Sequence, residues 1–287
     1  VISRLLIINY LTVWFMNFVI ATFYHFFDFH SFEQMQDELK SRMGDLGIKG
    51  MLLITSEGIN STISGKRAAI DEFLSYLKND LAKGEFEHKE SLCDVQPFKR
   101  ARVKIKKETI SIGEDLSLAK RGKYLNSSEW NNLLDDKDTI IIDTRNNYEV
   151  HLGTFEGAIN PNIRNFKQLP AFMRENLADA KHKKIATFCT GGIRCEKFTS
   201  WLLKEGFNDV YHLKGGILKY FEEMPQENSK WNGECYVFDE RIAVDHNLAP
   251  SKTVSLCMKC DHTLTFEEQL HKDYEKGVSC QYCKSQS

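Results

Sequence analysis

The clearest chemical signal in the sequence is a cysteine placed between a short apolar run and an amphipathic run. Residues 186–207 read ATFCTGGIRCEKFTSWLLKEGF, so Cys189 follows a predicted strand and precedes a predicted helix. Backbone N–H groups converge at such a junction, and both a helix N-terminus and a guanidinium stabilise an anion there. We therefore predict a thiolate nucleophile at Cys189, the alternative being an inert buried cysteine. The predicted cradle around its sulfur consists of Thr190, Gly191, Gly192, Ile193 and, at the rim, Arg194.

The length of this loop and a second thiol refine the prediction. Four residues separate Cys189 from Arg194, one fewer than in the C-x5-R loop with which cysteine phosphatases bind phosphate. The shorter loop suits a single sulfur atom better than a tetrahedral oxyanion. Cys195 begins the predicted helix and can either resolve a persulfide or sulfenate on Cys189 as a disulfide or simply pack. The spacing leaves both roles open, because it does not show whether the two sulfurs meet.

A second group of cysteines lies near the C-terminus in a different pattern. The spacing is C-x2-C-x19-C-x2-C, and two such pairs about twenty residues apart are typical of a zinc ribbon. We predict a closed, structural zinc site, the alternative being two redox disulfides. His262 and His271 lie between the pairs and could replace a cysteine ligand. The predicted ligands are Cys257, Cys260, Cys280 and Cys283.

A basic segment, FKRARVKIKKE at 98–108, has the alternation of a β-strand. At that period its cations share one face and apolar residues line the other until Lys107. Such a stripe can contact the phosphates of a nucleic acid, or it can be the solvated face of an edge strand. The cations predicted to contact a nucleic-acid backbone are Lys99, Arg100, Arg102, Lys104 and Lys106.

Composition restricts the class of protein. The chain has 287 residues, a net charge of −2, 42% hydrophobic residues and 27% charged residues, as in ordinary globular proteins. Any nucleic-acid surface must therefore be local. Eight cysteines, half of them in C-x-x-C pairs, indicate a reducing compartment and a metal rather than a secreted disulfide framework. We expect a cytoplasmic protein.

The N-terminal segment has two interpretations. Residues 5–24 contain no charged side chain, and a segment of this length can span a bilayer. Alternatively, Met16 is the start and residues 1–15 are translated upstream sequence, so that 1–17 is a leader outside the fold and 18–27 reads as a first strand. We favour the second interpretation and expect no stable membrane association.

The remaining patterns predict an α/β protein of three parts. Residues 18–112 alternate as β-α-β-β-α-β, the order of a ferredoxin-like α+β domain. Ser31 is a candidate N-cap of the first helix. The basic strand is predicted to close the sheet, after a poorly patterned segment at 80–98. Residues 113–126 are the predicted linker. Short apolar strands between helices over 127–225 predict a parallel sheet, with Asp143 and Cys189 at strand ends. Residues 226–287 form a cysteine-rich tail with few periodic elements.

Three segments of the middle domain resemble a rhodanese. IIDTRNNYEVHLGTFEGAINP at 141–161, the cysteine loop, and HLKGGILKY at 212–220 occur in the order found in that family. The resemblance implies that Cys189 carries a persulfide. It also implies that Asp143 and Arg145 brace the site.

A closer resemblance covers almost the whole chain from about residue 20. The bacterial tRNA uridine hydroxylase family is resembled by four segments together: EGINSTISG at 57–65, DTRNNYEVHLGTFEGAINP at 143–161, FCTGGIRCEK at 188–197 and GECYVFDERIAV at 233–244. The resemblance implies hydroxylation of wobble uridine 34 at carbon 5, with tRNA as the partner and molecular oxygen as co-substrate. We find no flavin, haem or nucleotide motif, and the sequence identifies no protein partner. The alternatives are a sulfurtransferase that passes a Cys189 persulfide to a thiol or tRNA-thiolation acceptor, and a non-catalytic RNA-binding module.

Overall fold

The computed structural model describes residues 17–114, 116 and 120–284, which fall into two compact units, the first ending at Ser111 and the second beginning at Ile112. The expected leader lies outside the described residues except for Asn17, and part of the expected linker lies outside them as well. Within the described ranges, no helix combines the length and the apolar character needed to cross a membrane.

The first unit is a five-stranded sheet with two helices on one face. The order of its strands is β4-β1-β3-β2-β5, with β5 parallel to β2 and the other pairs antiparallel. Leu39 and Phe73 of the helices pack against Phe23 and Ile54 of the strands in one buried cluster. The elements are β1 (Phe18–Phe26), α1 (Gln36–Asp45), β2 (Lys49–Thr55), β3 (Gly58–Gly65), α2 (Arg67–Tyr76) with a π-helical turn (Leu77–Leu81), β4 (His88–Cys93) and β5 (Ala101–Ile105).

The ferredoxin-like order is confirmed, but the prediction for its closing strand was wrong. The strand beside β1 is His88–Cys93, inside the segment that showed little pattern, and the basic strand is an additional edge beside β2. β4 lacks an apolar alternation because it is an edge strand whose Glu90 pairs with Arg67, at 2.6 Å, rather than packing in the core. Ser31 is also not the N-cap, because the helix begins at Gln36 and its N-cap residue is Met35, which makes no side-chain cap hydrogen bond.

The second unit contains a parallel sheet in the order β6-β10-β9-β7. Asp143, the last residue of β7, pairs with Phe188, the last residue of β9, so the carboxyl ends of these strands lie side by side. The elements are β6 (Lys123–Leu125), α3 (Ser127–Leu134), β7 (Ile140–Asp143), α4 (Asn147–Val150), β8 (Gly153–Phe155), a 3-10 turn (Phe166–Gln168), α5 (Leu169–Asn176), a 3-10 turn (Ala178–Ala180), β9 (Lys184–Phe188), α6 (Ile193–Lys204), β10 (Asp209–Leu213) and α7 (Gly216–Glu223).

The tail of the second unit packs on this sheet domain. Its first strand pairs with β8, which places Trp231 opposite Phe155 in the same buried cluster as Phe188. Farther along, Leu264 is buried with three of the four tail cysteines. The tail elements are a 3-10 turn (Gln226–Asn228), β11 (Trp231–Gly233), β12 (Cys235–Tyr236), β13 (Ala243–Val244), β14 (Ser255–Leu256), β15 (Thr263–Leu264), a 3-10 turn (Glu268–Leu270) and α8 (Gln281–Lys284).

Candidate active site and cysteine cluster

Cys189 lies where β9 ends and before α6 begins, as the sequence predicts. Its side chain is buried, and its Sγ accepts a hydrogen bond from the Gly192 N–H at 3.1 Å. Gly192 has φ of 98°, a left-handed conformation that glycine adopts without strain. The glycine-rich turn therefore aims a backbone donor at the sulfur.

The loop is held from behind by the first turn of α7. The Ile217 N–H donates to the Cys189 carbonyl at 3.0 Å, and the Leu218 N–H donates to the Thr190 carbonyl at 3.1 Å. Gly216 permits this approach, because a Cβ there would lie 2.4 Å from the Cys189 carbonyl oxygen. The two glycine-rich segments of the sequence thus meet in one backbone arrangement.

Arg194 occupies a different position from the one expected. It is not a cation at the rim, since it is 6% exposed, and its guanidinium makes two hydrogen bonds to Glu149, at 2.6 and 2.7 Å. Thr190 Oγ1 donates to the same carboxylate at 3.1 Å. Burial raises the pKa of Glu149, but the charge and hydrogen bonds of Arg194, the Arg145 charge and the Asn146 N–H together outweigh burial and leave that pKa below its usual range.

Glu149 is the functional residue that reasoning from sequence missed. It is fully buried and belongs to the single-turn helix α4. The signal was present in the spacing, because Asn146 and Glu149 form a capping box in which the carboxylate also accepts from the Asn146 N–H at 3.1 Å. A glutamate in such a motif, directly after a strand end, is a reasonable site candidate.

Asp143 and Arg145 form a second buried ion pair, with Arg145 donating to both carboxylate oxygens at 2.9 and 2.6 Å. The same guanidinium donates to the carbonyls of Glu149 and Gly153, at 3.3 and 2.6 Å. The pair therefore holds the C-terminal part of α4 and the start of β8. It acts on the cysteine loop through Glu149 rather than by touching the sulfur.

Cys195 lies next to Cys189 inside the protein, and both are fully buried. Burial alone would raise the pKa of Cys189, but a hydrogen bond from Cys195, the Arg194 charge, and the backbone N–H groups of Cys195 and Gly192 lower it to about 5. Burial and the neighbouring Cys189 sulfur raise the pKa of Cys195 well above its ordinary value. At neutral pH, one thiolate accepts from one thiol.

This arrangement can stabilise an anionic sulfur, whether a thiolate or a persulfide. The donors are fixed backbone and side-chain groups, so little reorganisation is needed when charge develops on the sulfur. Cys189 is therefore the nucleophile candidate, and Cys195 is placed as a hydrogen-bond donor to it.

The tail cysteines also converge, in a manner suited to a metal. The Sγ atoms of Cys257 and Cys283 are 4.0 Å apart, those of Cys260 and Cys280 are 3.6 Å apart, and all four lie within 4.8 Å of one another. A tetrahedral zinc ion with bonds of about 2.3 Å needs sulfurs about 3.8 Å apart. The four cysteines can therefore hold a metal ion such as zinc, without a histidine.

The basic strand presents its cations to solvent on the edge of the first unit's sheet. Val103 is buried, whereas the predicted RNA-binding side chains are exposed, and the apolar face ends at Ile105, which is 36% exposed. The exposed cations are Lys99, Arg100, Arg102, Lys104 and Lys106. The alternation predicted from the sequence is thus present from Arg100 to Lys104.

Comparison with known families matches the two units separately. Residues 18–109 match the UPF0176 acylphosphatase like domain, and residues 127–223 match the Rhodanese-like domain.

Solved structures match about a third of the chain each. The Alr3790 protein from Anabaena sp. is 19% identical over 38% of this chain and 91% of its own, with a TM-score of 0.32. A rhodanese-related protein from Thermoplasma volcanium is 23% identical over 36% of this chain and 93% of its own, with a TM-score of 0.29. An acylphosphatase from Coxiella burnetii is 13% identical over 31% of this chain and 94% of its own, with a TM-score of 0.25.

The parallel sheet, the cysteine loop and the matched domain define a protein of the rhodanese class. The acylphosphatase-like domain that precedes it makes the assignment narrower. The chain has the architecture of the UPF0176 (tRNA hydroxylase) family.

Proposed function

We propose that this chain is a cytoplasmic tRNA-modifying enzyme that hydroxylates carbon 5 of uridine at wobble position 34, with molecular oxygen as co-substrate. The observation that carries the proposal is the thiolate loop at Cys189 within a chain of this two-domain architecture. A rhodanese domain joined to a UPF0176 domain suggests a tRNA-modifying protein, and the exposed cations of β5 supply groups that bind phosphate.

In this proposal each described residue has a defined task. Cys189 is the reactive sulfur, Cys195 and the Gly192 N–H hold its charge, and Arg194 with Glu149 fixes the loop. Asp143 and Arg145 keep α4 in place beneath them. A zinc ion held by the tail cysteines would order a segment that has little apolar core.

The test is mass spectrometry of tRNA nucleosides from a host that lacks 5-hydroxyuridine derivatives, after expression of the chain. Wild type should produce them, and Cys189→Ser should not, because a serine hydroxyl does not ionise at neutral pH. Cys93→Ser makes the same chemical change at a buried cysteine of the first unit and should retain the product. Equal product from wild type and Cys189→Ser would exclude the assignment of Cys189, and no product from either would exclude the hydroxylase.

The basic strand gives a separate prediction about substrate binding. Replacing Arg102 and Lys104 with glutamine should reduce the slope of log Kd against log salt for tRNA by about one per lost phosphate contact. Lys40→Gln, an exposed lysine on α1, is the matched control. A slope unchanged from that control would mean that β5 is only a solvated edge.

The second candidate is a sulfurtransferase, which the fully buried, donor-lined sulfur supports. The Cys189 thiolate would attack the sulfane sulfur of thiosulfate, forming the S–S bond of a persulfide as the sulfur–sulfur bond of thiosulfate breaks and sulfite leaves. Transfer of that sulfur to cyanide would give thiocyanate and restore the thiolate. Rapid thiocyanate formation with unchanged tRNA nucleosides would favour this candidate.

A further inference from the structure

The tail contacts α4 through residues that flank Glu149. Thr263 Oγ1 donates to the Tyr148 carbonyl at 3.2 Å, and His151 Nε2 lies 2.8 Å from Glu268 Oε2. One contact thus precedes Glu149 in the chain and the other follows it.

The same tail residues are tied to the cysteine cluster. Tyr282 lies between two of the cysteines, and its hydroxyl donates to the other oxygen of Glu268 in a short hydrogen bond. The His262 ring lies 3.9 Å from the Tyr282 ring, and the His262 carbonyl accepts from the Cys257 N–H at 2.9 Å. Thr263 follows in β15, whose partner strand β14 leads into Cys257. Both C-x-x-C pairs are therefore connected to α4.

The helix α4 needs support from outside itself. It has four residues, and a helix of one turn has no intrinsic stability in water. Its own cap uses the Glu149 carboxylate, which at the same time binds Arg194 and Thr190. Any movement of this turn therefore moves the carboxylate that fixes the cysteine loop.

We propose that the metal-loaded cysteine cluster positions the Glu149–Arg194 pair through Tyr282, Glu268 and His151, so that metal occupancy sets the reactivity of Cys189. The inference goes beyond the proposed function, because it holds for whichever reaction Cys189 performs. Tyr282, Glu268 and His151 are positioning residues in this scheme, since none of them reaches the sulfur.

The test compares Glu268→Gln with Glu267→Gln. Glu267 is the preceding residue and is exposed. Both variants therefore make the same chemical change, but only Glu268→Gln alters the link from Tyr282 through Glu268 to His151. The rate of iodoacetamide modification of native protein is measured against pH, with metal content measured on the same samples. Trypsin cleaves after Lys184 and Arg194, so Cys189 and Cys195 fall in different peptides and the adduct is assigned by mass.

We expect Glu268→Gln to keep its zinc. The midpoint of its pH profile for Cys189 modification should rise by about half a pH unit, so that below the midpoint iodoacetamide modifies Cys189 about threefold more slowly than in wild type. Chelation of wild type should produce the same change, and added Zn²⁺ should reverse it. In Glu268→Gln, chelation should add little, because the link is already broken.

Tyr282→Phe provides a second variant, since it removes the hydroxyl and retains the ring against His262. The proposal is overturned if Glu268→Gln and Tyr282→Phe, both zinc-loaded and folded by circular dichroism, match the Glu267→Gln profile. It is also overturned if chelation of the wild-type protein leaves its pH profile for Cys189 modification unchanged. Neither readout involves tRNA, so failure here leaves the hydroxylase proposal intact.

Discussion

The two sulfur sites of the second unit contain the same functional group in opposite surroundings. At Cys189, one sulfur accepts hydrogen bonds from the Gly192 N–H and from Cys195, with the Arg194 charge nearby. In the tail, four sulfurs face one another within 4.8 Å. The first site supplies its own positive potential, whereas four thiolates repel one another unless a cation lies among them.

This difference indicates that the surroundings of a cysteine decide its chemistry. A single thiolate held by fixed donors remains available to react. Thiolates that share one metal are fully used as ligands and are closed to substrate. The first site is therefore suited to catalysis and the second to structure.

The largest expected effect comes from removing the metal. Cys260→Ala should reduce bound zinc from one equivalent to none, because structural zinc contributes on the order of 10 kcal/mol to the folding of such segments. Hydrogen exchange of residues 255–284 should accelerate, while β9 and α6 keep their protection. Cys189→Ala, the matched change at the other sulfur site, should retain one zinc. Equal zinc in both variants would mean that the tail cysteines are not ligands.

The next effect concerns the buried charge at the catalytic loop. Glu149→Gln keeps the shape of the side chain but leaves the Arg194 guanidinium buried without a counter-ion, at a cost of about 3–5 kcal/mol in the free energy of unfolding. Glu267→Gln, at an exposed position, should change that free energy by less than about 0.5 kcal/mol. Denaturant unfolding measures both. A difference below about 1 kcal/mol between the two variants would show that the pair is solvated.

Much of the fold follows from the sequence, and the exceptions have physical causes. The apolar runs at β7 and β9 predict a parallel sheet because both faces are covered, and the structure confirms it. His88–Cys93 was missed because its polar side chains are satisfied by pairs such as that of Glu90 with Arg67, which leave no apolar alternation. Strands whose energetics depend on tertiary partners carry a weak local signal.

The candidate site likewise has one part that could be predicted from the sequence and one part that could not. Cys189 and its glycines are local in sequence, so the strand-to-helix junction could be predicted from them. Arg194 was expected at the rim because no residue close to it in the sequence indicated a buried partner. Its partner, Glu149, lies 45 residues earlier. Where a long side chain points depends on which distant charge the fold brings to it, and spacing alone does not contain that information.

A smaller effect separates the two roles left open for Cys195. Cys189 should be modified by iodoacetamide with a midpoint near pH 5, and the rate should fall as pH drops through that value because the thiolate is lost. A hydrogen bond to a charged group contributes about 1.5–3 kcal/mol, so Cys195→Ala should raise the midpoint by about one to two pH units. The loss in rate should be visible at pH 5 and absent at pH 8.

Cys195→Ser is the control that distinguishes a donor from a resolving thiol. Its hydroxyl still donates to the Cys189 sulfur but cannot form a disulfide. We expect its midpoint to stay close to that of wild type. A serine variant that behaves like the alanine variant would refute the donor role, and a disulfide that forms rapidly in wild type would support resolution.

The smallest effect is expected at Cys235, a third kind of environment that sharpens the comparison. Cys235 is fully buried in the tail near Arg145, yet burial outweighs that charge and raises the pKa of its thiol to about 12. Its Sγ donates to the Tyr236 carbonyl at 3.6 Å, whereas the Cys189 sulfur accepts from an N–H. Native protein at pH 8 should therefore be modified at Cys189 and not at Cys235, and Cys235→Ser should leave the Cys189 midpoint unchanged. Modification of both cysteines at similar rates would mean that proximity to an arginine is sufficient to activate a buried thiol, and that the direction of the hydrogen bond is not what distinguishes them.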